Sequence, residues 1–232
     1  MLRPVPERLG RVIIERLGND MSELSLLLRK AQRHLTRRDE VLESIIKVVG
    51  PCTLRHGPDH FRLLSKSIVS QQISTKAAAA IFARLEAALA PSGITAAAIS
   101  KARDKTLRGA GLSNGKMLAL RDLATKVLSG QIHFSELPAL PDEEVIANLI
   151  QVRGIGRWTA EMFLIFALGR IDVLPVDDLG LRVGVQRHYK LKELPGKREV
   201  TEIGERWRPY RTVATWYFWR SLGAVPQPQP EK

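Results

Sequence analysis

Two helical patterns meet at Val152-Arg153-Gly154-Ile155-Gly156, and this glycine-centred hairpin constrains the chain more than any other stretch. Glycine tolerates the left-handed backbone of a tight turn, and the amides that open the following helix carry partial positive charge. Such a turn can bind a phosphate without reading base sequence. Arg157 and Thr159, at the start of the second helix, join Gly154 and Gly156 as candidate DNA contacts. An ordinary helix–turn–helix packing joint would use the same residue types, so the functional reading depends on what surrounds the hairpin.

Apolar residues elsewhere recur at helical spacing, and no alternating β-branched run is long enough to suggest a sheet, so an all-α fold is expected. Asp20 is expected to cap a helix to about His34, and Thr36 a second one ending at Gly50, where Pro51 prevents continuation. Residues 60–70 read as an apolar helix, and Ser74 or Thr75 caps the alanine-rich KAAAAIFARLEAALA. Short helices near 95–110 precede one from Ser113 to about Leu128, stopped by Gly130. Pro141 is expected at a first helical position, with Asp142, Glu143 and Glu144 suited to the positive helix end. Helices at 142–151, 157–168, 178–189, 198–206 and 210–222 complete the reading, and the proline-rich tail at about 224–232 is expected to be disordered. Punctuation by Pro and Gly is too even to mark independent domains. The expectation is one domain over 1–232, made of two helical lobes with a DNA-binding cleft, its hairpin motif at about 142–168.

A formal charge of +12 and a pI near 10.3 favour a polyanionic partner, since clustered Lys and Arg gain affinity by releasing counterions from phosphate. The N-terminal MLRPVPERLGRVIIERLG lacks the apolar core of a signal peptide, and no stretch is long enough to span a bilayer. A cytoplasmic, nucleoid-associated protein is expected in a bacterium and a nuclear one in a eukaryote. The single cysteine, Cys52, excludes an intramolecular disulfide and any four-cysteine zinc or iron–sulfur site. Asp177 and Asp178 precede LGLRVGV, where either could simply cap a helix. A carboxylate near a ribose could also stabilise positive charge at the anomeric carbon as a base leaves, and could orient or deprotonate water.

VRGIGRWTAEMF followed by DVLPVDDLGLR resembles the helix–hairpin–helix DNA glycosylase superfamily, specifically its alkylpurine (3-methyladenine) branch. The likeness runs from about Phe61 to Leu222, through IVSQQIS, GLSNGKMLALRDLA and ERWRPYRTVATWYFW. It implies that Asp178, the second acid of the pair, is catalytic. Strand-cutting relatives place a nucleophilic lysine after Gly-x-Gly-Arg, where this chain has Trp158. An indole is no amine nucleophile, so the resemblance implies a monofunctional enzyme that uses water and leaves an abasic site. The absence of a cysteine quartet agrees, because several relatives hold an iron–sulfur cluster.

An alkylated purine carries ring positive charge and attracts electron-rich aromatic faces. The resemblance places Trp158 and Trp219 at pocket positions, with Met162 where some relatives have a tyrosine. Trp216 and Tyr217 are further candidates, although TVATWYFWR also reads as an amphipathic core helix, and His133 and His188 read as surface or capping residues. Flipping a base leaves a gap that a wedge side chain fills. The likeness puts Gln72 there, with Gln71 beside it, and Lys116 as a possible phosphate contact. It also implies a monovalent cation, Na+ or K+, on the carbonyls of Ile150, Val152 and Gly154, and no required cofactor. The first sixty or so residues read as helices, which matches the compact form of the branch. The expected function is therefore excision of 3-methyladenine and 7-alkylguanine lesions from double-stranded DNA by a monomer that needs no membrane. A noncatalytic damage-recognition protein and a glycosylase for deaminated bases are the alternatives.

Overall fold

The computed structural model describes residues 7–223, with side chains from residue 23 onward except Thr75. Every regular element among them is helical. None of these helices is long and apolar enough to cross a membrane. The expected disordered tail lies outside the described residues. The described residues divide into two compact units, one formed by 7–54 and 179–223, the other by Arg55–Asp178.

The first unit is built from two segments far apart in sequence. It contains α1 (Glu7–Arg38), α2 (Glu40–Val49), α10 (Leu179–Tyr189), α11 (Lys197–Gly204) and α12 (Arg211–Ser221), with a 3-10 turn at Glu205–Trp207. The break expected near Thr36 occurs instead at Asp39. Leu28, Ala31 and Leu35 continue a buried stripe up to that point, so the first helix gains from running on. Asp39 then caps α2, its Oδ1 accepting from the amides of Val41 and Leu42 at 3.0 and 3.2 Å. Its Oδ2 accepts from Trp207 Nε1 at 2.8 Å and from the Tyr189 hydroxyl. One buried carboxylate thus ties the start of α2 to the end of α10 and to the 3-10 turn. Asp39→Ala should cost about 3 kcal/mol in urea unfolding, from a lost cap, the Trp207 donor left buried and the half-buried Tyr189 hydroxyl losing its acceptor. A loss below about 1 kcal/mol would show that the four hydrogen bonds are incidental.

α12 departs from the amphipathic expectation, because every residue from Thr212 to Trp219 is buried. Phe218 packs so closely on α10 that a Cβ at Gly184 would come within 2.9 Å of its own Cβ. Tyr217 donates to the Gly50 carbonyl at 2.9 Å. Cys52 is buried, and burial pushes its thiol up to about 12, so it behaves as an inert core group.

The second unit holds α3 (His60–Ser70), α4 (Thr75–Ala88), α5 (Ala96–Lys101), α6 (Asp104–Gly109), α7 (Asn114–Leu128), α8 (Asp142–Leu149) and α9 (Arg157–Phe166). Ser74 and Ser113 cap α4 and α7 through their hydroxyls, as local chemistry suggests. Pro141 sits at the cap position of α8 rather than inside its first turn, and the helix runs from Asp142, as expected, to Leu149, two residues short of the expected end. Extended ψ of 152° at Pro141 places the change of direction there. α9 is buried at eight consecutive positions from Thr159, which makes it the central helix of this unit.

Candidate active site

Hairpin geometry follows from its residue pattern. Val152 and Ile155 are buried and anchor the turn, while Gly154 between them adopts φ +77°. A side chain there would be strained whatever the space around it. Gly156 differs: its φ of −98° suits any residue, and an added Cβ would meet nothing within 4 Å. The protein's own packing therefore does not require glycine at 156. What glycine supplies is open access to the first amides of α9, which no side chain caps.

Neighbouring elements hold the turn from two directions. Asp122, on α7, accepts from the Arg153 amide at 2.7 Å through Oδ2 and from Lys126 Nζ at 2.6 Å through Oδ1. Burial works against its charge, yet the Lys126 and Arg153 contacts prevail and hold its carboxyl below the ordinary value. Gln71, at the end of α3, donates its amide to the Gly154 carbonyl at 2.9 Å and lies 3.4 Å from Thr159 Oγ1. Lys116 reaches back from α7 to the Val69 carbonyl at 2.6 Å, and burial lowers its pKa. The turn Gln71-Gln72 is thus pinned on both sides. Gln72 itself is exposed and has φ +57°, a left-handed conformation unusual for a residue with a side chain.

Trp158, in the first turn of α9, donates Nε1–H to Asp178 Oδ2 at 2.7 Å. Asp178 is 6% exposed and lies immediately before α10, and its own amide closes a turn onto the Pro175 carbonyl at 2.9 Å. Trp158 is 37% exposed, so the indole carries the carboxylate's orientation outward to solvent. The structure thereby joins two residues that sequence reasoning treated separately, as a pocket wall and a catalytic acid.

Other expected site residues are placed differently. Arg157 is bound to Glu143 (Nη1 to Oε2, 2.9 Å) and to Glu161 (Nε to Oε1, 3.1 Å). Its guanidinium is committed within the protein, and the same contact holds the Glu143 carboxyl below its usual value. Met162 is buried in α9, and Trp219 is buried in α12 of the first unit. Trp216 is buried there too. His133 is exposed, and His188 shares a 2.8 Å hydrogen bond with Ser221, in keeping with non-catalytic roles.

Asp122 and Glu161 were not recognised from sequence. An i,i+4 Asp122–Lys126 pair is visible in RDLATK but gives no hint of a hairpin contact, which is tertiary. Glu161 was detectable as a lone acid inside the apolar run TAEMFLIF. It is 3% exposed, and its Oε2 is buried without a hydrogen-bond partner. Burial raises its carboxyl from 4.5 to about 7 against the pull of Arg157, with Asp177 adding to the rise. The folded protein therefore holds this proton across a range where the unfolded chain releases it, and stability falls as pH rises from about 4.5 to about 7. Glu161→Gln should gain on the wild type by on the order of 2 kcal/mol between about pH 5 and about pH 8 in urea unfolding. A constant difference between the two proteins across that range would contradict the assignment.

A family model described as the HhH-GPD superfamily of base excision DNA repair proteins matches residues 65–209. The chain belongs to that superfamily. It is 36% identical over 208 residues to DNA-3-methyladenine glycosylase 1 of Schizosaccharomyces pombe, covering 87% of this chain and 91% of the relative. The structure of the S. pombe 3-methyladenine DNA glycosylase in complex with abasic DNA superposes with a TM-score of 0.77 at 35% identity, covering 86% of this chain and all of that one. A DNA-3-methyladenine glycosidase from Bacillus halodurans gives 0.75 at 38% identity, covering 83% and 89% of the two chains.

Proposed function

We propose that the chain is a monofunctional DNA glycosylase that binds double-stranded DNA as a monomer, turns out an alkylated purine and hydrolyses its glycosidic bond. The observation that carries this reading is the 2.7 Å hydrogen bond from Trp158 to Asp178. It puts an indole where lyase chemistry needs an amine, and uses that indole to aim a carboxylate. The names of the relatives, DNA-3-methyladenine glycosylases among them, support 3-methyladenine as a substrate, and the proposal extends the class to 7-alkylguanine lesions.

In the proposed reaction the open amides at Gly156 and the start of α9 hold a DNA phosphate, and exposed Gln72 enters the gap left by the flipped base. The left-handed backbone at Gln72 costs about 1 kcal/mol, a strain of the kind found where a side chain is presented for use. Alkylation has already weakened the base–sugar bond. Asp178 then stabilises positive charge growing on the sugar as the purine leaves with the bonding electrons, directs water to the anomeric carbon and takes the proton that the water gives up. In this reading the carbonyls of Ile150, Val152 and Gly154 would hold a monovalent cation. Val152 O accepts from the Ile155 amide and Gly154 O from Gln71, which leaves each a second lone pair. Such an ion would add positive charge beside the bound phosphate.

Strand chemistry tests the reading. The enzyme with borohydride and lesion-bearing duplex should form no covalent complex, and the product strand should break only after alkali. Trapping of the enzyme on DNA would exclude the monofunctional assignment.

A further inference from the structure

The C-terminal half of α1 carries Lys30, Arg33, His34 and Arg37 at i, i+3, i+4 and i+7, so these side chains share one helix face. With Arg38 and Tyr210, the residue before α12, they line a cavity of about 430 Å³. Among the described residues, no acidic side chain lines it. Other arginines are paired: Arg62 with Glu86, Arg121 with Asp104, Arg157 with Glu143 and Arg208 with Glu205. Among the described residues, Lys30, Arg33, Arg37 and Arg38 have no such partner. Arg37 and Arg38 stand in the last turn of α1, where they offset the negative end of the helix. That effect fades within one turn and does not account for Lys30 and Arg33. His34 packs its ring edge-on to Tyr210 at 5.2 Å, and its Nε2 is buried with no hydrogen-bond partner.

Four like charges around one cavity repel one another, so the arrangement favours an external anion. Guanidinium groups match the oxygens of a phosphate in both geometry and charge. We propose that this cavity is a second phosphate site, carried by the unit that lacks the hairpin, and that it takes either a phosphodiester of duplex DNA or a free phosphate group. The first source would add a DNA contact to those proposed for the hairpin. The second would make the cavity a small-anion site.

The test compares the wild type with Arg33→Gln/Arg37→Gln. Both positions are exposed and neither belongs to the proposed reaction machinery, so base release at saturating DNA should not change. Undamaged duplexes of about 12 and about 25 base pairs are titrated across a salt series, in which each lost phosphate contact lowers the slope by about 1. A smaller slope on the longer duplex supports the site with DNA as its source. Inorganic phosphate at constant ionic strength is then added during thermal unfolding. An upward shift in the wild type that is absent in the variant, with DNA slopes unchanged, supports the site with free phosphate as its source. Equal slopes together with equal phosphate responses overturn the proposal. These readouts do not depend on base release, so they stand even if no lesion is excised.

Discussion

Asp178→Asn should reduce release of alkylated purines by roughly 10³-fold while leaving DNA affinity near the wild-type level. Asparagine keeps the size of the side chain and can still accept the Trp158 Nε1 hydrogen bond through its amide oxygen. What it loses is the negative charge that faces the developing sugar cation and the ability to draw a proton from water. The substitution therefore separates chemistry from geometry. Single-turnover release from a defined lesion duplex measures the first, and titration of the same duplex measures the second. A rate within about tenfold of wild type would place the chemistry elsewhere.

Gly156→Ser should move stability and DNA binding in opposite directions. The site has room for the new side chain and an unstrained backbone, so the fold should accept it. Serine caps a helix at least as well as glycine, by accepting the next free amides with its own hydroxyl, so stability should hold or rise by a few tenths of a kcal/mol. Those amides are the groups proposed to hold a DNA phosphate. Affinity for duplex should fall by about tenfold to a hundredfold, on the order of 2 kcal/mol. Unchanged affinity in a folded Gly156→Ser protein would mean that the amides of α9 do not contact DNA.

The two substitutions concern the parts most legible in the sequence, and for the same physical reason. A turn glycine, the helix after it and an acid at the next helix start are local features written in consecutive residues. α3 and α7 were legible in the same way, since Ser113 and the apolar spacing of residues 60–70 declare themselves locally. Tertiary choices were not. Asp39 ends α1 because it also meets Tyr189 and Trp207, more than a hundred residues away, and no local rule prefers it to Thr36. Burial of α12 on all sides likewise depends on partners that periodicity does not name. At the site, Gln71 reads as a neighbour of the Gln72 wedge, and only the fold shows its amide on the Gly154 carbonyl. Arg157 reads as a DNA contact until Glu143 and Glu161 are found around it. The Trp158–Asp178 contact spans a whole helix and loop, so only the fold could bring the two side chains together.

The most direct test of the account is to incubate the wild-type protein with duplex DNA carrying methylated purines and to identify what enters solution. Free 3-methyladenine and 7-methylguanine, released from a strand that stays intact until alkali, is the result expected of an alkylpurine glycosylase that uses water at Asp178. Tight binding to the same DNA with no base released would contradict it and leave a damage-recognition protein in place of an enzyme.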